Sequence, residues 1–273
     1  MFQTLRRMLG IDPHAALKQT LGERELPCFS HTTQVVLRQL RDPETSMASI
    51  GDRLATDPGL SVTVLRLANR ASNGLRRAIV DPAHAARLLG RAEIESLVIS
   101  AAVQQALPAP TTRHFRPERF WQQAALRASV AKGLAEVIDR ARARTAFTAA
   151  LLQDMAIPLL VDAEPDGYHD LLDGSHSDLH QQERDRYGWD HTMVAGWVSA
   201  AWKLPEELTE LIVDHHADHA PAAIGVAEHA LSDDPEPYVE SARTRLGLSP
   251  ERSMALLERA RVDAQELGAA LTR

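Results

Sequence analysis

The sequence is poor in cysteine and in long apolar runs. Its 273 residues contain a single cysteine, Cys28, which rules out an intramolecular disulfide and favours a reducing compartment. No apolar run approaches the roughly 18 residues that a membrane span needs. The first ten residues, MFQTLRRMLG, lack the apolar core of a signal peptide. We therefore expect a cytoplasmic protein without a membrane span.

Positive charge is also scarce. The net charge is -7 and the pI is about 5.9, whereas a nucleic-acid-binding protein usually presents a concentrated basic face. The sequence also lacks the glycine-rich phosphate loops of nucleotide-binding folds and the serine elbow of α/β-hydrolases. These absences argue against a nucleic-acid partner, and we expect no cofactor.

The apolar pattern is helical. Apolar residues recur at three- and four-residue spacing, as in the stripe Ile94, Leu97, Val98 and Ala101. This spacing gives one apolar face about 100° wide, which predicts an all-α protein. Aspartate followed by proline suits the first turn of a helix, because the carboxylate accepts free N–H groups. Such pairs predict helix starts at Asp42-Pro43, Asp57-Pro58 and Asp81-Pro82.

The first half of the chain carries a series of short motifs. The segment that begins LPCFSHTTQ at Leu26 leads through Asp57-Pro58-Gly-Leu60 into a helix that ends Leu-Arg-Leu-Ala-Asn69. An Asp-Pro-Ala-His-Ala-Ala-Arg-Leu-Leu-Gly segment follows at 81–90. In order and spacing these pieces resemble the HDOD family, a branch of the HD phosphohydrolase superfamily, which has a short helix at the place of residues 81–90. The resemblance extends to about His219.

The second half resembles the HD core, but key ligands differ. The superfamily binds one or two divalent metals through a histidine, then an adjacent His-Asp pair, then a late aspartate. By the resemblance, the first histidine position is Gln123, after Phe120-Trp121, and the pair is Gln153-Asp154 in ALLQDMA. The late aspartate position falls at Glu228. A neutral amide is a weak ligand for a transition metal, so we expect a degenerate site that holds no metal.

Three histidines also match positions where the family has histidine: His191, His215 and His216. His191 and His215 lie on apolar stripes and should point into helix packing, as core histidines or as residual ligands. His215 and His219 are also spaced i and i+4, which can chelate a metal. Asp154, without its histidine partner, could cap a helix or anchor Gln123.

Other features have an ordinary structural interpretation beside a functional one. Two arginine clusters, Arg140/Arg142/Arg144 and Arg70/Arg76/Arg77, could bind an anion, but a solvated surface is the simpler reading. Cys28 is predicted to be a small core side chain. The N-terminal MFQTLRRMLG could form a docking helix.

The predicted organisation is an N-terminal segment (1–25), an HDOD domain (26–220) and a helical C-terminal extension (221–273). Within the HDOD domain we expect a helical subdomain over about 26–108 and an HD-like helical subdomain over 115–220. The stripe Met254, Leu256, Leu257, Ala260 and Leu267 predicts that the extension is docked.

The resemblance implies a bacterial regulatory module without catalytic residues, which contacts other signalling proteins. The partners could be response regulators or proteins of a cyclic di-GMP pathway, and a homo-oligomer stays open. Two alternatives remain. One is a metal-dependent phosphohydrolase whose unusual site gathers Asp154, His191, His215 and His216. The other is a sensor that binds a nucleotide in the former HD cavity.

Overall fold

The computed structural model describes residues 13–22, 25–71, 78–172 and 179–272, and all regular structure in these ranges is helical. This confirms the predicted all-α class. The first half comprises α1 (Pro13–Leu21), α2 (His31–Arg41), α3 (Met47–Leu54), α4 (Pro58–Ala71), α5 (Pro82–Leu89) and α6 (Arg91–Ala106). The second half comprises α7 (Pro117–Ile138), a 3₁₀ turn (Arg140–Arg142), α8 (Ala143–Leu152), α9 (Ala156–Ala163), α10 (Pro165–Leu172), α11 (Leu179–Tyr187), α12 (His191–Ala201), α13 (Glu206–Val213), α14 (Ala222–Glu228), a 3₁₀ turn (His229–Leu231), α15 (Glu236–Leu246) and α16 (Pro250–Leu271).

Helix α7 lies at the centre of the packing. Helices α8, α14 and α16 all pack against it, and α16 also contacts α4. Leu257, Ala260 and Leu267 are buried on the inner face of α16. The last helix therefore packs on the rest of the molecule, while the predicted domain boundaries remain predictions.

Two of the three Asp-Pro pairs begin helices. Asp81 accepts the N–H groups of Ala83 and His84 at 3.0 Å each, and Asp57 accepts that of Leu60 at 3.0 Å. The third prediction, at Asp42-Pro43, is wrong. Asp42 follows the end of α2, and its carboxylate accepts the Glu44 N–H and the Thr45 hydroxyl in a tight turn.

Arg91 explains why the chain turns at Asp42. Its guanidinium donates to the carbonyl oxygens of Gln39, Leu40 and Asp42 at 2.8–2.9 Å, and to that of Thr45. The carbonyls at the end of a helix have no partner within it. Arg91, from the start of α6, supplies a charged donor and holds the end of α2 in place.

The two halves of the chain are joined near residues 27–29. The Trp202 indole donates to the Pro27 carbonyl at 2.8 Å, and its ring lies 4.8 Å from that of Phe29. Cys28, between them, is exposed. The prediction that Cys28 fills the core is therefore wrong, because the buried side chain of this segment is Phe29.

One helical stretch passes a length and composition test for a membrane span. It covers Arg140–Ala163 with a mean hydropathy of 1.4, but 78% of its apolar window is buried inside the protein. This extent of burial is typical of a helix in the core of a protein. The predicted N-terminal docking helix over residues 1–10 and the side chains of Arg70, Arg76 and Arg77 lie outside the described residues.

Candidate functional site

Five elements deliver polar side chains to one interior cluster, called the core site below. Helix α7 contributes Arg127, the turn after α8 contributes Gln153 and Asp154, and the first residue of α12 is His191. The turn after α13 contributes His215 and His216, and the end of α14 contributes Glu228. The core site thus comprises Arg127, Gln153, Asp154, His191, His215, His216 and Glu228.

Asp154 lies at the centre of the core site. Its Oδ2 lies 2.7 Å from Nη2 of Arg127, and its Oδ1 lies 3.6 and 3.5 Å from Nε2 of His191 and His215. Burial disfavours the charged carboxylate, but the Arg127 guanidinium and the His215 ring hold the pKa of Asp154 well below its usual range. Asp154 is therefore ionised at neutral pH.

One side of the core site balances its charges internally. Gln153 is buried and donates its amide N–H to Glu228, while Nε of Arg127 lies 3.6 Å from the Glu228 carboxylate. Two carboxylates thus share one guanidinium, which is cationic at every accessible pH. This side does not fit a divalent metal, because an amide replaces a ligand and a buried cation already contacts both acids.

The other side carries the histidines. Nδ1 of His191 hydrogen-bonds Oε2 of Glu183 at 2.6 Å, and the His191 backbone N–H donates to the same oxygen at 2.8 Å. Tyr168 donates its hydroxyl to the second oxygen of this fully buried carboxylate. Burial opposes protonation of His191, but the hydrogen bond and charge of Glu183 raise its pKa. Glu183 therefore orients the imidazole and leaves Nε2 facing the core site.

His215 and His216 complete this side. Nδ1 of His215 lies 2.7 Å from the Ile212 carbonyl, so it carries the proton and Nε2 faces inward. That Nε2 is buried, and it has no hydrogen-bond partner among the described residues. Nε2 of His216 lies 3.2 Å from Nε2 of His191. Burial and the neighbouring histidines lower the pKa of His216 to about 2, so it is neutral.

The three imidazoles are better suited to bind a metal ion than the side of the core site that contains Arg127 and Gln153. One ligand atom from each lies within 4.8 Å of the others, and the Asp154 carboxylate is adjacent. Carbonyl and carboxylate partners on the far nitrogens are typical of histidines that ligate zinc or similar ions. A metal-free site therefore stays a prediction, and the histidine side is where a metal ion would bind.

The predicted residues do not all meet. Gln123 is partly buried one turn before Arg127 on α7, and among the described residues no hydrogen bond joins it to the core site. His219 is exposed and lies 3.2 Å from Asp214, so it does not form a chelating pair with the inward-facing His215. Asp154 is held by Arg127 instead of anchoring Gln123.

Sequence reasoning did not identify Arg127 as a core-site residue, and it did not predict that Glu183 and Tyr168 support His191. Arg127 was detectable, because it interrupts the apolar face that carries Ala124 and Ala131 at helical spacing. A charge inside an apolar stripe signals a buried partner. Glu183 and Tyr168 lie in segments with no comparable pattern.

The described part of the chain is an all-helical domain with an Asp-centred polar cluster at the meeting point of several helices. The model of the HDOD domain family matches residues 26–218, and the chain belongs to that family. The predicted resemblance is confirmed. A comparison with curated proteins gave no match.

Solved structures share the fold. A predicted phosphohydrolase from Shewanella amazonensis SB2B is 23% identical, with a TM-score of 0.71 over 94% of this chain and 98% of its own. An HDOD domain protein of unknown function from Geobacter sulfurreducens is 20% identical, with a TM-score of 0.64 over 96% of this chain and 98% of its own. A predicted signal transduction protein from Marinobacter aquaeolei VT8 is 20% identical, with a TM-score of 0.71 over 100% of this chain and 66% of its own.

Proposed function

We propose that this chain is a regulatory module of bacterial signal transduction that acts through contacts with other proteins and does not hydrolyse phosphate esters. The observation that carries the proposal is the ion pair between Arg127 and Asp154 at 2.7 Å.

The guanidinium supplies charge that a hydrolase would take from a metal. Arg127 is buried and touches both Asp154 and Glu228. A divalent ion on this side would lie against a fixed cation in a medium of low dielectric constant, where repulsion is strong. An HD hydrolase uses its metal to polarise phosphate and to generate hydroxide near neutral pH. A guanidinium donates hydrogen bonds but does not coordinate water as a metal ion does, so Arg127 cannot replace the metal in generating hydroxide.

The regulatory part of the proposal comes from the family and its relatives. The structurally similar Marinobacter protein is described as a signal transduction protein. For this chain we propose partners in bacterial signalling, such as response regulators or proteins of a cyclic di-GMP pathway, and a cytoplasmic location consistent with its single, exposed cysteine.

A second candidate function, metal-dependent phosphohydrolase, is favoured by the three-histidine side of the core site. His191, His215, His216 and Asp154 would hold a single ion, which would act as a Lewis acid on a phosphate ester. The buried Nε2 of His215, which has no hydrogen-bond partner among the described residues, is the atom that such an ion would bind.

Metal analysis combined with a hydrolysis assay separates the two candidates. Protein purified without a metal-affinity step is analysed by inductively coupled plasma mass spectrometry. It is then assayed on bis(p-nitrophenyl) phosphate with added Mn²⁺, Fe²⁺, Zn²⁺ or Ni²⁺. We expect no hydrolysis above that of His215→Ala, which lacks the central imidazole. One metal per chain together with hydrolysis that His215→Ala abolishes would overturn the proposal in favour of the second candidate.

A further inference from the structure

A cavity lies on the side of α7 that faces away from the core site. A cavity of about 360 Å³ opens between α7, α8 and α16, and none of the core-site residues lines it. Ser129, Lys132, Gly133 and Glu136 form its α7 wall at spacings of three and four residues, which places them on one face. Ser129 is about 200° around the helix axis from Arg127. This cavity, called the α7–α16 pocket below, is therefore separate from the core site.

Apolar side chains form part of the lining of the α7–α16 pocket. They are Leu97 from α6, Phe147 from α8, and Leu256 and Leu267 from α16. A cavity of this volume is in the usual range for small-ligand sites. These four side chains can pack against a hydrocarbon or aromatic group of a ligand.

The wall of the α7–α16 pocket carries more positive than negative charge. Four basic and three acidic side chains line it, and the pair Arg144–Glu93 at 2.6 Å is neutral as a unit. Lys132, Arg140 and Arg259 have no ion-pair partner among the described residues. The remaining acids are Glu136 and Asp263. Three cations with no ion-pair partner within the described ranges, against the two acids Glu136 and Asp263, leave the wall with a small net positive charge beside its apolar side chains.

Gly133 keeps the pocket open. A Cβ at this position would meet only the Leu256 side chain, at 3.7 Å, which is ordinary contact. A helix interior normally disfavours glycine by about 1 kcal/mol relative to alanine. The α7 wall thus has room for a larger side chain that glycine leaves unfilled.

We propose that the α7–α16 pocket binds a small amphiphilic anion, whose carboxylate or phosphate head lies against Lys132, Arg140 and Arg259 and whose apolar body lies on Leu97, Phe147 and Leu256. Phosphate suits the forked guanidinium, and either head group suits the cationic rim. The ligand would contact helix α16, which lies beyond the residues matched by the family model. Binding would therefore fasten the C-terminal helix to the HDOD domain and give the module a chemical input.

Isothermal titration calorimetry on the full chain tests the proposal. The probes are decanoate, decyl phosphate, uncharged decanol and the cation decyltrimethylammonium. We expect both anions to bind one per chain and at least about tenfold more tightly than decanol or the cation. Tighter binding of decyl phosphate would identify phosphate as the preferred head, and tighter binding of decanoate would identify carboxylate.

Variants locate the site. Gly133→Leu should abolish binding of the anions by filling the cavity, whereas Gly133→Ala should retain it. The double variant Lys132→Gln with Arg259→Gln should bind the anions about tenfold more weakly than wild type. The control is Arg252→Gln, because Arg252 is exposed on α16 and lies outside the pocket. This control should bind the anions as wild type does. Circular dichroism verifies that each variant is folded. Equal binding of decanol and decanoate, or wild-type affinity in a folded Gly133→Leu protein, would overturn the proposal. So would the absence of anion binding to the wild-type chain.

Discussion

Nη2 of Arg127 lies 2.7 Å from Oδ2 of Asp154, inside the helical core. Arg127 is the buried cation that balances the carboxylates on this side of the core site. Its removal leaves the charges of Asp154 and Glu228 without their cation.

Arg127→Ala should therefore destabilise the protein by about 3 kcal/mol, because a buried carboxylate loses its partner. Arg119→Ala, at an exposed position on the same helix, should change the free energy of unfolding by less than about 0.5 kcal/mol. Urea unfolding followed by circular dichroism measures both. Equal effects of the two substitutions would show that the ion pair contributes nothing.

The double variant Arg127→Met with Asp154→Asn provides a second measurement. Neutralising both partners should recover part of the stability that Arg127→Met alone loses, since neither charge is then left unpaired. A double variant that is less stable than the sum of the two single effects would contradict this account.

Asp190 should make the stability depend on pH. It is buried and begins α12. Burial raises its pKa, but hydrogen bonds from the Thr192 hydroxyl and the Met193 N–H, with the charge of Arg184, outweigh burial and lower the pKa. A lowered pKa in the folded state means that the carboxylate stabilises the protein above the unfolded pKa of about 3.9 and loses this effect as pH falls through the folded value.

Asp190→Asn should therefore be about 1 kcal/mol less stable than wild type at pH 7, because a charged acceptor is replaced by a neutral one. The difference should be constant above about pH 5 and should close as the pH falls below about 4. Urea midpoints between pH 3 and pH 7 measure the difference. If the stability difference between the two proteins instead grows towards low pH, folding does not lower the pKa of Asp190.

Arg91 should contribute more to the free energy of unfolding than an ordinary surface arginine does. Arg91→Ala removes a charged donor from the carbonyl oxygens of Gln39, Leu40 and Asp42, and should cost about 2 kcal/mol. Arg87→Ala, exposed on the preceding helix, serves as the matched control and should be nearly neutral. Hydrogen exchange should also rise at the end of α2 in Arg91→Ala alone. Unchanged exchange there would exclude the proposed capping role.

Gly51 allows helices α3 and α5 to touch. A Cβ at Gly51 would lie 2.2 Å from Cα of Ala83, which is backbone and cannot move aside cheaply. Gly51→Ala should therefore destabilise the protein by about 2 kcal/mol. Gly133→Ala, the same change where space exists, should stabilise it by about 0.5 kcal/mol. Thermal unfolding compares the two, and stabilisation by both would refute the close packing of α3 on α5.

Two of the three helix starts that the Asp-Pro pairs predicted are present, and the third is not. Asp57 and Asp81 accept N–H groups of the next turn, as their Asp-Pro patterns predicted, because capping depends on residues within three positions. The same pattern failed at Asp42. Arg91, 49 residues later, takes the carbonyls at the end of α2, so the chain turns before α3 can begin. No local pattern contains that contact.

In the core site, too, the sequence predicted some contacts and the tertiary structure decided others. Asp154, His191, His215 and His216 were expected to be neighbours through the resemblance, and the structure brings them together. Gln123 was placed with them, but Arg127, one turn later, makes the contact to Asp154. Two positions one turn apart lie on nearly the same face of a helix, so the position of α7 along its own axis decides which of them reaches Asp154. That position depends on packing against α8, α14 and α16.

The sequence by itself determined the all-helical class and the family, and it placed glutamine at positions 123 and 153, because periodicity, capping and residue identity are local properties. Only the tertiary structure decided that Arg127 neutralises Asp154, that Cys28 faces outwards, and that the α7–α16 pocket lies opposite the core site. These depend on contacts between residues far apart in the chain, and the free energy of such contacts is decided when the helices pack.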